Sequence, residues 1–277
     1  MKKTVLAEDF LESFRNKRRP QLTTVIDPDK DSTLDWLDRH ESRGKVRNEL
    51  ALEHSTRLAI RAFDIAVSSL ALVALSPVFL ILAVLIKMES RGPVIYRQVR
   101  TGRNLRSADR RRSDNIRMLQ ERRRTDRRRE AAPGRPFKIY KFRSMVADAE
   151  KNGIQMATQD DDRITRIGRV MRRTRLDELP QFWNVLKGDM SIVGPRPERP
   201  EIIDYLEEQI PGYSERLGVR PGITGLAQIR NGYDTDLEHI RRKITLDRYY
   251  IQKCSLQNDL RICLRTVRVV IKGEGAM

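Results

Sequence analysis

The sequence predicts an α+β fold, mostly helical, with a membrane-embedded helix–break–helix segment attached to one small domain. Three observations carry this. Ile65–Ile86 is a run of 22 residues without a charge, ~33 Å long as a helix and enough to reach across a bilayer core. PVIYRQVR (93–100) and PFKIYKFR (136–143) are rich in β-branched and aromatic residues and read as two strands. From residue 144 onward, apolar residues at helical spacing alternate with Pro/Gly-rich loops, the pattern of a compact helical domain. The chain therefore divides into a polar N-terminal extension (1–56), a membrane segment (57–90) and a domain (91–277) with an arginine-rich insertion at 104–134.

The extension is mixed in charge and poor in apolar residues, so it reads as weakly ordered. Charges throughout Met1–Arg19 and no apolar core leave no secretory leader to be expected. The membrane reading of Ile65–Ile86 rests on length, because a core helix with no polar face needs a larger protein around it. Pro77, after Ser76, removes a backbone donor and clashes with the carbonyl of Val73, which bends or breaks the helix. Ser68, Ser69 and Ser76 can satisfy the backbone groups so freed. Basic residues flank both ends: Lys45, Arg47, Arg57 and Arg61 before, Lys87, Arg91 and Arg97 after. A positive-inside bias on both sides favours a hairpin that enters and leaves the same leaflet. A kinked spanning helix satisfies the same composition, and the residues alone leave the two about even.

The chain of 277 residues carries 55 Lys+Arg against 38 Asp+Glu, a net +17. Fourteen arginines and five acids lie between Arg100 and Arg135, so about half of the excess sits in one segment. Arginine tracts bind phosphates in nucleic acids, lipid headgroups or nucleotides. Two cysteines, Cys254 and Cys263, exclude a disulfide scaffold and a four-cysteine zinc module. Three scattered histidines exclude a His-rich metal site. The insertion is too long for a hairpin turn and too polar for a core, so it reads as an excursion from the hairpin tip.

Adjacent acids occur five times, no more than chance placement gives, so context must select among them. Asp177-Glu178 has the richest context. Ile164, Ile167, Val170 and Met171 precede it at helical spacing, interleaved with Arg163, Arg166, Arg169, Arg172 and Arg173, and Pro180 suits the first turn of a helix over 181–187. An ionised Asp among arginines can act as a nucleophile toward phosphorus, with its neighbour holding a divalent cation. Helix capping is the common alternative for acids in that position. Pro195 and Pro197 stiffen the backbone around Arg196, and Pro221 stiffens it after Arg220, which suits presented guanidiniums in an anion site. In the C-terminal segment Leu256, Leu260, Cys263, Leu264, Val267, Val270 and Ile271 share one helical face beside Arg261, Arg265, Arg268 and Lys272. That is the pattern of a basic amphipathic helix at a membrane surface, or of a surface helix packed on its domain.

Together, Ser76-Pro77, PFKIYKFRSM (136–145), DDRITRIGRVMRRTRLDELPQFWNVLKGDMSIVGPRP (161–197), RPGITGLAQI (220–229) and the tail around LDRYYIQKCSLQNDLRICLRTV resemble the bacterial sugar transferases, monotopic polyprenyl-phosphate phosphoglycosyl transferases. The resemblance covers about residues 57–273 apart from the insertion. It implies transfer of a sugar 1-phosphate from a UDP-sugar to a polyprenyl phosphate, with release of UMP, to start exopolysaccharide or other surface-glycan assembly. Asp177 would be the nucleophile that forms an aspartyl phosphosugar, and Glu178 would hold Mg2+. Lys141, Arg143, Arg172, Arg196 and Arg220 would contact substrate. The Ser76-Pro77 break would make the membrane segment re-entrant, placing one small cytosolic catalytic domain on the cytoplasmic face of the bacterial inner membrane. Membrane lipids are then partners, nucleic acid is not expected, and the oligomeric state is left open. The contrary expectation is a catalytically silent membrane scaffold, or a binder of anionic polymers through the insertion.

Overall fold

The computed structural model describes residues 49, 52–104, 134–149, 151, 161–231 and 237–272. The arginine-rich insertion and the N-terminal extension lie almost wholly outside the described residues. Helix α1 (His54–Ala74) runs into α2 (Ser76–Glu89) through a single residue, Leu75, with a bend of 58°. Proline explains the break. Pro77 occupies the first turn of α2, where its missing N–H has no partner to lose. The Ser76 hydroxyl donates to the Val73 carbonyl at 2.8 Å, taking up one of the acceptors the break releases. No single described helix is long and apolar enough to cross a membrane, whereas the bent pair together is. Its outer surface is apolar and open: Leu70, Val73, Leu80, Ile81, Val84 and Met88 are all exposed.

The first half of α1 belongs to the domain. Asp64 and Ser68 are fully buried, and the Asp64 carboxylate accepts from the Ser191 hydroxyl and the Ile192 amide at 2.9 Å each. Arg61 donates to the carbonyls of Val185 and Leu186 at 2.7 Å, closing the C-terminal end of the helix at Gln181–Lys187. Burial pushes the Asp64 carboxyl above its usual range, opposed by the bonds from Ile192 and Ser191. The far half of α1 carries the open apolar surface.

After the hairpin, β1 (Ile95–Thr101) and β2 (Pro136–Phe142) pair antiparallel from Ile95↔Phe142 to Thr101↔Pro136, as the sequence predicts. Then come α3 (Arg166–Arg173), a 3₁₀ turn at Leu176–Glu178, α4 (Gln181–Lys187), β3 (Ser191–Val193), α5 (Pro200–Gln209), a 3₁₀ segment at Tyr213–Gly218, β4 (Gly222–Thr224), α6 (Leu226–Arg230), α7 (Leu237–Gln252) and α8 (Leu256–Lys272). Strands β3 and β4 pair in parallel through Ser191↔Gly222 and Val193↔Thr224. The main core gathers Ile139, Val185, Met190, Leu226, Tyr250 and Ile262. A second cluster, Leu82, Ile86, Phe142 and Met171, fastens α2 to β2 and α3. Glu89, the last residue of α2, accepts from the amides of Arg166 and Ile167 and so caps α3 from outside, while Thr165 accepts from Gly168. Both arms of the hairpin are thus wedged into the domain.

Helix α8 keeps its expected apolar face but packs only part of it on the domain. Ile262 and Cys263 pack on the core, but Leu260, Leu264, Val267 and Val270 are exposed. Polar anchors set this rotation. Asp259 accepts from the Tyr250 hydroxyl at 2.9 Å, Asn258 donates to the Lys253 carbonyl at 2.7 Å, and Thr266 pairs with Thr224 at 2.7 Å. These contacts turn half of the apolar stripe outward.

Asp64→Ala would strand the Ser191 hydroxyl and the Ile192 amide in the interior, at about 1–3 kcal/mol per unsatisfied group. A loss of roughly 3 kcal/mol is expected in the unfolding of the full chain in nanodiscs, and an unchanged midpoint would refute the role of Asp64 in docking the hairpin.

Candidate active site

Three segments converge on one carboxylate. Glu178, in the 3₁₀ turn after α3, accepts from Lys141 Nζ of β2 and from Arg196 Nη2 of the loop before α5, both at Oε1 and both at 2.7 Å. Its Oε2 has only a 3.4 Å contact from Arg196 Nη1. Burial alone would raise the Glu178 carboxyl, but the Arg196 and Lys141 charges overcome it and hold it well below the usual range. The Glu178 charge in turn raises Arg196 further, against burial.

The turn is strained at its entry. Arg175, its first flanking residue, adopts φ 58° and is the sole non-glycine with positive φ among the described residues. A long side chain in the left-handed region costs about 1–2 kcal/mol. The expectation that both acids open helix α4 needs correction: they lie in the separate 3₁₀ turn, and Pro180 flanks α4 behind them.

Asp177 is 8% exposed, and among the described residues no hydrogen bond reaches its carboxylate. Its pKa is pushed up to about 6, mainly by burial. Lys141, Arg172 and Arg196 pull it down, and Glu178 pushes it up. The group therefore ionises near neutrality without a proton donor locked onto it. Arg172 is tied through Nε to the Ser144 hydroxyl at 3.1 Å, while its Nη1 is buried with no partner among the described residues. An unpaired guanidinium nitrogen beside a buried carboxylate is a vacant donor suited to a phosphate oxygen.

The structure brings together Lys141, Arg172, Asp177, Glu178 and Arg196. It moves the other two predicted substrate contacts elsewhere. Arg143 is buried and donates to the carbonyls of Ser90 at 2.6 Å and Arg91 at 3.0 Å, and to the Ser90 hydroxyl at 2.8 Å. It closes the C-terminal end of α2, where orphan carbonyls attract a guanidinium. Arg220 pairs with Glu49 at 2.9 Å, away from Asp177. Ser76 and Pro77 form the bend described above.

A network that sequence reasoning missed holds the Arg196 loop. Arg216, 1% exposed, donates to the Arg196 carbonyl at 2.9 Å and pairs with Asp247 at 2.8 Å. Lys243 pairs with Glu198 at 2.8 Å, and Arg100 donates to the Pro197 carbonyl at 3.1 Å. Burial raises the Glu198 carboxyl, and Lys243, Arg216 and Arg100 more than reverse that, to about 2. These residues span 100 to 247 and share no local pattern that could have announced them.

Among the described residues, the carboxylates of Glu178 and Asp177 are those of this cluster that could hold a divalent cation. Mg2+ is commonly held by one or two carboxylates together with substrate phosphates. Glu178 Oε2 is the lightly used oxygen of the clamp, and the Asp177 carboxylate is the acid that interacts with Glu178. Among the described residues there is no group of three or more metal-ligating side chains, so substrate oxygens would have to complete the sphere.

The family model described as bacterial sugar transferase matches residues 55–112 and 115–273. A UDP-N-acetylgalactosamine-undecaprenyl-phosphate N-acetylgalactosaminephosphotransferase of Aeromonas hydrophila is 43% identical over 216 residues, covering 78% of this chain and 44% of that protein. A UDP-glucose:undecaprenyl-phosphate glucose-1-phosphate transferase of Caulobacter vibrioides is 38% identical, covering 78% of this chain and 71% of that protein. An enzyme of the same name from Escherichia coli is 40% identical, covering 76% and 40%. The chain thus spans less than half the length of the Aeromonas and Escherichia relatives.

Lys141→Met removes the strongest charge lowering the Asp177 pKa, so that group should titrate above about 6. Glu178→Gln removes the charge that raises it, so the same group should titrate lower. Carboxyl ¹³C NMR of Asp-labelled protein reads both, and shifts of the same sign in the two variants would contradict the electrostatics described here.

Proposed function

The chain belongs to the bacterial sugar transferase family, and from that premise we propose that it transfers a sugar 1-phosphate from a UDP-sugar to a membrane polyprenyl phosphate. The observation that carries the reading is the pairing of a buried Asp177, without a hydrogen bond among the described residues, with a Glu178 clamped by Lys141 and Arg196. The names of the relatives, which specify UDP-sugar donors and undecaprenyl phosphate, support it. The product would feed surface-glycan assembly.

In this mechanism Asp177, ionised above about pH 6, attacks the β-phosphorus of the UDP-sugar. A bond forms between a carboxylate oxygen and that phosphorus, and the bond to the bridging oxygen breaks, so that UMP leaves with the electron pair. The aspartyl phosphosugar is then attacked at phosphorus by a polyprenyl phosphate oxygen. That step regenerates the carboxylate and yields polyprenyl diphosphosugar, with the two transfers in ping-pong order. Arg172 Nη1 is placed to receive a phosphate oxygen, and Arg196 and Lys141 keep positive charge beside the reacting centre. Glu178 would hold Mg2+, which would supply charge to neutralise the diphosphate of the donor.

The bent apolar pair α1–α2 serves as a re-entrant anchor. The 58° bend, the exposed apolar surface and basic residues at both ends support entry and exit on one leaflet, with the domain on the cytoplasmic side. This brings a water-soluble donor and a lipid acceptor to one site. Nothing in the described residues favours a silent scaffold, since the carboxylate pair and its cations are intact. The insertion, which an anionic-polymer binder would use, lies outside them.

Full-length protein in nanodiscs with Mg2+, undecaprenyl phosphate and a panel of UDP-sugars is expected to release UMP with one donor or a few. Asp177→Ala should reduce the rate by about 10³-fold or more, as losing a nucleophile does. For wild type, kcat/KM should fall about tenfold per pH unit below about 6 as Asp177 takes up its proton. UMP release that survives Asp177→Ala would refute the covalent route, and no release from any donor would refute the transferase reading.

A further inference from the structure

A second basic recess lies at the foot of the hairpin and shares no residue with the Asp177 site. It encloses about 470 Å3 and is lined by Glu49, His54, Arg57, Leu58, Arg61, Arg103 and Arg220. Four guanidinium groups from three segments therefore meet there: the first turns of α1, the end of β1 and the loop before β4. Among the described residues two carboxylates answer them: Glu49, and the buried Asp64, whose charge acts on Arg220 and Arg61. Glu49 forms ion pairs with Arg103 at 2.7 Å through Oε2 and with Arg220 at 2.9 Å through Oε1, while its buried Oε2 accepts no hydrogen bond among the described residues. Arg61 is engaged by the neutral Val185 and Leu186 carbonyls, and its charge acts on Asp64 without a hydrogen bond. The Nε of Arg57 is buried with no hydrogen-bond partner among the described residues.

We propose that this recess is a phosphate-binding site, with the Glu49 carboxylate standing in the position that a phosphoryl group takes when bound. Among the described residues, four cations against two carboxylates leave a surplus of positive charge in a partly desolvated pocket, and such a surplus draws an anion with two or more oxygens. Burial depresses the Arg220 pKa, Glu49 opposes that, and Arg103 and Arg61 add to the depression. An incoming dianion relieves this repulsion more fully than a single carboxylate. Location narrows the source of the phosphate to two. Arg57 and Arg61 stand eight and four residues before Ile65, where the apolar run begins, or ~6–12 Å along the helix. That is headgroup depth for a membrane phospholipid, and it is also open to a free phosphate from water.

The test uses the full chain in phosphatidylcholine nanodiscs, titrated with inorganic phosphate by calorimetry. Wild type is expected to bind, Arg103→Gln to bind about tenfold to a hundredfold more weakly, the value of one or two charge-assisted hydrogen bonds, and Glu49→Gln to bind more tightly because the internal competitor is gone. Arg57→Gln gives a second weakening variant should Arg103→Gln not fold. Repeating the titration in discs with about one-third phosphatidylglycerol, an anionic-leaflet mimic, separates the sources. Loss of phosphate binding there, restricted to the component sensitive to Glu49→Gln, assigns the site to a lipid headgroup, and its persistence assigns it to a free phosphate. Identical binding by wild type, Arg57→Gln, Arg103→Gln and Glu49→Gln would place all phosphate at the Asp177 site and overturn the proposal, whatever UMP release shows.

Discussion

Glu178 is the point at which the chain closes on itself. Its carboxylate ties a strand, a 3₁₀ turn and a proline-stiffened loop through Lys141 and Arg196, so the spacing of these segments cannot change without exposing or orphaning a largely buried charge. Breaking such a pair by removing one partner costs about 3–5 kcal/mol, far more than the pair contributes against an apolar replacement. That asymmetry favours a chemical over a purely structural reason for the cluster. Apolar side chains could fill the same volume, but they could not hold a second carboxylate beside three cations.

The clamp is itself supported from behind. Arg196 can meet Glu178 only if its backbone is fixed, and Arg216 fixes it by donating to the Arg196 carbonyl while anchored on Asp247. Glu198, two residues further on, is held by Lys243 of the same helix as Asp247. Helix α7 therefore acts on the site without touching it. On the other side, α4 starts just after the catalytic turn and ends on Arg61 of α1. The bent apolar pair and the carboxylate pair are thus connected by one short rigid element, which fixes their spacing.

Much of this was legible in the residues because it depended on local pattern. The uncharged run and Ser76-Pro77 foretold the bent pair, the β-branched stretches foretold β1 and β2, and the arginines around Asp177-Glu178 with the Pro195–Pro197 loop foretold Arg172 and Arg196 at one centre. What local pattern could not show depended on partners distant in sequence. Arg143 and Arg220 looked like their neighbours in the same motifs, yet one is drawn to the open carbonyls ending α2 and the other to Glu49. Asp64 gave a weak signal, a lone carboxylate one residue ahead of an apolar run, and no local pattern indicated that Ser191 and Ile192 would receive it. The outward turn of Leu264, 74% exposed, was set by Asp259 and Thr266, whose partners lie on other elements.

Two adjacent carboxylates in nearly identical surroundings behave oppositely, and the 3₁₀ turn is the reason they can. With three residues per turn, successive side chains diverge by about 120°, so one acid can enter the cation clamp while its neighbour avoids it. Glu178 thereby loses its freedom and stays ionised at any ordinary pH. Asp177 gains no hydrogen bond, and its ionisation is decided by burial against charges that act without contact. A carboxylate saturated with hydrogen bonds is stable and a poor nucleophile, and one left in water is solvated and equally poor. The left-handed Arg175 at the head of the turn is where the backbone strain of separating the two carboxylates is stored.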